Sequence, residues 1–262
     1  MSSGSISFDR AARYYDRTRV TDPRAVRATV DLLAAELGGH GRVLELGVGT
    51  GALALPLAER GMPLVGLDLS GSMMRELVMK VGGRVPFPLV RADGTRAPFT
   101  DGSFGGAYAR WVLHLIPNWR DAVAELCRIV GPGGRVVIEP GGYAGQWRTV
   151  WLKFVEIVGE DAAPIGLDVR GGMGDLDEAF VASGAEPREL PPIDTQMGSS
   201  LNVFFDEVAD RLYSWTWRIS DDELLPAIER VRDWASREYG ELDAPFDTEA
   251  RMRWRAYDIS SP

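Results

Sequence analysis

The sequence predicts an α/β fold, a doubly wound and mostly parallel sheet covered by helices on both faces. Three observations carry this. A short apolar run at residues 43–46, VLEL, leads into a glycine turn and then a helical stretch. Strand-like and helix-like segments alternate five times before residue 140, the pattern of successive βα units. An acid, Asp68, closes the second strand seventeen residues after Gly51, where open α/β sheets place a residue that accepts ribose hydroxyls.

The elements follow in order. Residues 1–7 are small and polar, and the expectation is disorder. Residues 8–19, FDRAARYYDRTR, read as a short helix. Asp22-Pro23 starts the next helix, with Asp as N-cap and Pro at the first helical position. Val26, Val30, Leu33 and Leu37 share one face of it, and Gly38-Gly39 ends it. After the glycine turn a helix runs to about residue 60, with Pro56 inside it and a small bend expected there. The second strand spans 63–69. Ser70 caps a helix that turns Met73, Leu77 and Val81 inward. Strands at 87–92 and 104–112 flank a loop of turn residues. Residues 117–130 form an amphipathic helix, broken by Gly131-Pro132-Gly133-Gly134. The fifth strand is 135–139.

Beyond residue 140 the pattern loosens. Residues 143–158 read as an aromatic helix, 159–174 as a glycine-rich connection and 175–183 as a helix closed by Gly184. A strand is expected at 188–195, with Pro191-Pro192 placing it at an edge or splitting it. Helices follow at 201–213 and 221–239, and a last strand at 251–259. Six of the eight tryptophans lie after residue 146. Core packing explains most of them, and one or two lining a substrate cavity would be ordinary.

Composition narrows the function. The 262 residues carry a net charge of −9, so nucleic acid and anionic lipid are not expected partners. The single Cys127 and two histidines, His40 and His114, leave no metal site and no disulfide framework to expect. No apolar stretch reaches the length of a membrane span, and the N-terminus lacks a signal pattern. The expectation is a soluble cytoplasmic protein.

Glycines at 47, 49 and 51 let a ligand approach the backbone closely. Gly47, Gly49 and Ala52 also satisfy the dinucleotide fingerprint G-x-G-x-x-G/A, so the glycines do not choose the ligand. Glu45 does. Strand alternation points it the same way as Gly47, and a carboxylate there repels a pyrophosphate and favours a ligand bearing an amino group. S-adenosylmethionine (SAM) has an amino group, a sulfonium charge and no phosphate.

Residues 40–140 resemble the class I SAM-dependent methyltransferases, and most nearly the small-molecule group that includes the ubiquinone- and menaquinone-biosynthesis type. The likeness rests on VLELGVGTG at 43–51, LVGLDLSGSMM at 64–74, RADGTRAPFTDGSF at 91–104, WVLHLIPNW at 111–119 and LCRIVGPGGRVVIEP at 126–140. It implies a Rossmann-like seven-stranded sheet whose last two strands form an antiparallel hairpin. It implies that Glu45, Gly47, Val48, Gly49 and Gly51 hold the methionine end of SAM. Asp68 would take the ribose hydroxyls, Leu69 and Met73 would pack on the adenine, and Asp93 and Gly94 would read its edge. Ala109 and Arg110 would pass close to the methionine portion. The run at 14–19, YYDRTR, resembles a lid, with Tyr14 or Tyr15 over the sulfonium and Arg19 near the SAM carboxylate. Gly105 departs from the family, which usually has an acid there. No N-P-P-Y run follows the fourth strand, against methylation of DNA bases or protein glutamines.

The resulting expectation has three parts: a lid segment at 1–21, a SAM-binding core at 22–140 and, at 141–262, the rest of the sheet with a helical cap insertion. Segments 8–20 and 141–217 should cover the pocket. The partner is a small-molecule methyl acceptor, and the chain is a monomer or homodimer. His114 is the one candidate general base by its ordinary pKa, though it reads more readily as a helix-start or packing residue. Two other readings stand beside this one: a SAM-binding regulatory protein without catalysis, and an NAD(P)-dependent oxidoreductase.

Overall fold

The computed structural model describes residues 4–18, 22–143, 145–197, 200–244 and 248–260. In chain order the elements are α1 (Tyr15–Thr18), α2 (Pro23–Leu37), β1 (Val43–Leu46), α3 (Ala54–Glu59), β2 (Leu64–Asp68), α4 (Gly71–Lys80), β3 (Leu89–Arg91), β4 (Gly106–Arg110), α5 (Trp119–Val130) and β5 (Arg135–Glu139). There follow α6 (Gly145–Val158), α7 (Gly174–Ala182), β6 (Ala185–Glu189), β7 (Ile193–Met197), α8 (Leu201–Ala209), α9 (Asp221–Tyr239), β8 (Thr248–Met252) and β9 (Arg255–Ile259).

Seven strands form one sheet in the order β3-β2-β1-β4-β5-β9-β6. The first five are parallel, and β9 runs antiparallel to both β5 and β6. The order reverses between β1 and β4, so a crevice opens at their carboxyl ends, where such sheets bind ligands. One face of the sheet buries Leu44, Leu46, Ala107, Ala109 and Ile138 under α5 and α7. The other buries Val43, Tyr108 and Val137 under α2, α3 and α4.

The β6/β9 pairing continues outward as a separate antiparallel ribbon, β7 with β8. Pro191 and Pro192 separate β6 from β7, since neither can donate a ladder hydrogen bond; the predicted strand at 188–195 is split there and β6 lies at the sheet edge. Helices α8 and α9 lie between β7 and β8 in sequence and pack on α6. Their shared core is aromatic: Phe204 contacts the rings of Tyr143, Trp147, Phe154, Phe205 and Tyr213. This cap includes α9, which lies beyond the 141–217 span expected from sequence.

Other local expectations change. Residues 9–14 form turns, leaving only the four-residue α1 of the expected helix. Pro56 is the third residue of α3, between the Leu55 and Leu57 N–H groups that donate to Gly51 O and Leu53 O at 3.1 Å, and it leaves one donor out of that ladder. Residues 4–7 are held rather than disordered: the Ile6 N–H donates to Leu115 O at 2.9 Å. Among the described residues no helix is long and apolar enough to cross a membrane.

Candidate functional site

A cleft lies at the carboxyl ends of β1, β2 and β4. Leu46, Gly47 and Gly49 line it from β1 and its turn, and Asp68, Leu69 and Met73 from β2 and α4. Ala92, Asp93 and Gly94 follow β3, while Val112, Leu115 and Ile116 follow β4. Arg110 and Trp111 sit at the end of β4, and the N-terminal segment lays Ser5, Ile6, Phe8 and Tyr15 against it.

The glycine turn depends on its glycines. Gly47 has φ +78°, and a Cβ there would lie 2.2 Å from Val112 Cγ2. Asp68 splints the turn from the next strand. Its Oδ2 accepts from the Gly49 N–H at 2.8 Å and its Oδ1 from the Ser70 N–H at 2.7 Å. Burial pushes the Asp68 pKa up, and the Ser70 and Gly49 N–H groups oppose that rise. A carboxylate offers about four lone-pair sites, so with two in use Asp68 can still accept two hydroxyls. Asp93 is oriented by Thr95, whose N–H and hydroxyl both donate to Asp93 Oδ1 at 2.9 Å.

Behind the cleft lies a buried polar network. Strand alternation turns Leu44 and Leu46 to one face of β1 and Glu45 to the other, beside its register partner Tyr108. Tyr108 Oη donates to Glu45 Oε2 at 2.8 Å. Burial pushes the Glu45 carboxyl up to about 8, the Tyr108 bond opposing, and burial likewise pushes Glu139, at the end of β5, up to about 7, Arg110 opposing. Arg110 shares this space. Its guanidinium lies 3.9 Å from the Trp111 ring centroid, its Nε lies 3.8 Å from Glu139 Oε2, and its Nη2 meets the Met252 thioether at 3.5 Å. Trp111 holds φ +58°, rare for a bulky residue and found where function fixes the backbone. Its N–H donates to Glu139 O at 3.0 Å.

The N-terminal segment is tied down by carboxylates. Asp9 Oδ1 accepts from Ser70 Oγ at 2.7 Å and the Ser72 N–H at 2.9 Å, which hold its pKa well below the usual carboxylate range. Asp16 accepts from Thr50 Oγ1 and pairs with Lys80, each at 2.5 Å. Phe8 packs on Trp217 of the cap with centroids 4.9 Å apart.

The cleft therefore gathers Gly47, Gly49, Asp68 and Leu69, and with them Met73, Asp93, Gly94 and Arg110, of the residues expected to hold the cofactor. Glu45, Val48, Gly51 and Ala109 lie outside its lining: Val48 packs against Gly66, Gly51 against Leu77, and Ala109 in the sheet core. Tyr15 rather than Tyr14 faces the cleft. Arg19 lies outside the described residues. His114 sits in a single 3-10 turn, Leu113–Leu115, and is not part of the lining, although its neighbours Leu115 and Ile116 are. No described residue of 141–217 lines the cleft; the cap reaches it through Phe8, which packs on Trp217. Sequence reasoning did not name Ser5, Ile6 or Trp111, and gave Phe8 only as part of the covering segment 8–20. The WVLHLIPNW run marked the neighbourhood of Trp111, but nothing local marks the N-terminal residues.

The glycine cradle, the splinted acid and the apolar walls of Leu69, Met73 and Ile116 fit an adenosine with an amino-acid tail. The carboxylates of Asp68 and Asp93 disfavour a pyrophosphate. The methyltransferase-domain family matches residues 44–138. A demethylmenaquinone methyltransferase of Beutenbergia cavernae is 36% identical over 136 residues, 50% of this chain and 55% of the relative; the chain spans about half the length of the curated relatives it matches. The YcgJ protein of Bacillus subtilis superposes with a TM-score of 0.61 at 15% identity, over 91% of this chain and 99% of that one. The [4+2]-cyclase SpnF superposes with a TM-score of 0.57 at 17% identity, over 99% of this chain and all of that one. At such identities the likeness concerns the fold. Residues 44–138 thus match the methyltransferase-domain family within a Rossmann-like sheet whose remaining strands and cap that match does not cover.

Proposed function

We propose that the protein is a SAM-dependent methyltransferase acting on a small molecule. The observation that carries this is Asp68, which splints the glycine turn and faces the cleft from the end of β2. Asp68 would take the ribose hydroxyls, Asp93 and Gly94 the adenine edge, and the turn at Gly47 and Gly49 the amino-acid tail. When bound, SAM supplies an electrophilic methyl group on a sulfonium. The chain's own task is alignment and exclusion of water. The N-terminal segment performs the exclusion, with Ile6, Phe8 and Tyr15 against the cleft and Asp9 and Asp16 tying it to α4 and the glycine turn.

The acceptor is a small molecule, admitted on the side of Arg110, Trp111 and Phe8. The named relative acts on demethylmenaquinone, but the family match stops before the cap, so the acceptor here is a separate question. We place the protein in the cytoplasm as a monomer or homodimer, in keeping with its acidic charge and the lack of a membrane-spanning helix among the described residues.

The likeness in fold to a [4+2]-cyclase favours keeping one other reading: a chain of this fold whose reaction is not methyl transfer. Thermal unfolding with SAM, S-adenosylhomocysteine, NAD and NADP tests the cofactor. A ligand at about 100 times its Kd adds about 2.7 kcal/mol. A shift with SAM and S-adenosylhomocysteine alone is expected; a shift with NAD or NADP alone would move the protein to the oxidoreductases. Methyl transfer from labelled SAM to an acceptor then separates the two remaining readings.

A further inference from the structure

Arg110 is a cation short of acceptors. Its side chain is 9% exposed and carries five N–H donors. Among the described residues its one hydrogen-bond partner is the Met252 thioether, a weak acceptor. Glu139 stands at 3.8 Å, beyond hydrogen-bond reach, and both Arg110 Nε and Glu139 Oε2 lack a partner. Buried guanidinium groups ordinarily meet a carboxylate or carbonyl face to face, because desolvating the charge without one is costly. Meanwhile the group is expensively positioned. It stacks on Trp111, whose backbone is held at positive φ, and Gly141 leaves room for that indole: a Cβ there would lie 2.9 Å from Trp111 Cδ1.

Among the described residues Arg110 is also the one cation lining the cleft, with Asp68 and Asp93 the other charged residues there. The acids sit on β2 and after β3, while Arg110 touches Trp111, Met252 of the ribbon and the neighbourhood of Glu139 on β5. Its contacts thus belong to the side from which the cap is built, away from the adenosine end. The two acids behind it, Glu45 and Glu139, are pushed up by burial to about 8 and about 7, so near neutral pH they do not fully balance its charge, which a guanidinium retains.

We infer that Arg110 binds an ionised oxygen of the methyl acceptor, a carboxylate or an acidic enol or phenol, and thereby selects anionic substrates. This rests on the methyltransferase reading in assigning the Asp68 end to the cofactor. Where the ionised oxygen is itself the atom methylated, no general base is needed, and His114 does not line the cleft.

Calorimetric titration of the full chain tests both layers separately. Failure of the wild-type protein to bind S-adenosylhomocysteine would sink the methyltransferase reading itself. With that binding established, Arg110→Met and Arg110→Lys should bind S-adenosylhomocysteine and methylthioadenosine as the wild type does. A loss of about tenfold or more for S-adenosylhomocysteine, with methylthioadenosine unchanged, would put Arg110 on the cofactor's own carboxylate and overturn the inference. The protein loaded with S-adenosylhomocysteine is then titrated with benzoate, salicylate, 4-hydroxybenzoate and, as the neutral control, benzamide, at millimolar concentration. The expected result is a preference of at least about tenfold for a carboxylate over the amide, lost in Arg110→Met and partly kept in Arg110→Lys. The wild-type comparison stands even if a variant does not fold, and no carboxylate preference there overturns the inference.

Discussion

The glycine turn and the cap are held together by different kinds of interaction. Around the turn, short directional bonds dominate: Asp68 to Gly49 and Ser70, Asp9 to Ser70 and Ser72, Asp16 to Thr50 and Lys80. In the cap, aromatic rings pack on one another around Phe204, and the indole N–H groups of Trp151 and Trp215 donate to Ala162 O and Tyr143 Oη beside them. Directional bonds require particular atoms in particular places, whereas apolar packing requires mainly volume and shape. The turn therefore constrains residue identity, and the cap constrains size. The cofactor end should be intolerant of small chemical changes, and the cap intolerant of lost volume.

The largest expected effect probes the cap. Phe204→Ala removes a fully buried ring and should lower stability by about 3–5 kcal/mol in urea unfolding. S-adenosylhomocysteine affinity of the folded fraction should hold. Loss of both together would break the contrast by showing that the cap also shapes the cofactor site.

Next comes the buried acid behind the cleft. The folded Glu45 carboxyl titrates near 8, above its ordinary 4.5. Between those values the folded protein keeps a proton that the unfolded chain has released, so stability falls as pH rises through the window. Each pH unit removes up to about 1.4 kcal/mol. Glu45→Gln has no proton to lose and can still accept from Tyr108. Its stability relative to wild type should rise by up to about 2.7 kcal/mol between about pH 6 and about pH 8. A constant difference across that range would show that Glu45 is ionised in the fold.

Asp68→Ala should weaken S-adenosylhomocysteine binding at least about tenfold, about 1.4 kcal/mol, as measured by calorimetry. Unchanged affinity would remove Asp68 from the ribose contact and leave it only as a splint. The smallest effect is expected from His114→Ala, which should alter neither cofactor affinity nor the pH profile of turnover. A lost acidic limb in that profile would restore His114 as the base.

Much of the sheet was legible because its signals are local. Alternation, Asp22-Pro23, Ser70 and the Gly131-Pro132-Gly133-Gly134 break mark ends and periods within a few residues, and β5 matches its predicted bounds. The two prolines announced the break between β6 and β7. What was not legible depends on contacts far apart in sequence. Ile6 is placed by Leu115 and Phe8 by Trp217, with no pattern of their own. Alternation carried past Leu46 aimed Glu45 the same way as Gly47, but β1 ends at Leu46 and the turn redirects the chain, while Glu45 bonds to its strand neighbour Tyr108. The positive φ of Trp111 has no sequence signature at all, since a glycine is what such a backbone would announce.

The ribbon has one more consequence. The chain leaves β7 at Met197 and returns to β8 at Thr248, and these two residues are paired across the ribbon. The stretch between them, including α8 and α9, is thus a graft with adjacent junctions. Replacing it by a segment of another length would leave the sheet and its register untouched, provided the new helices still fit α6. In evolutionary terms, new acceptors could be acquired through one insertion point while the glycine turn stays as it is.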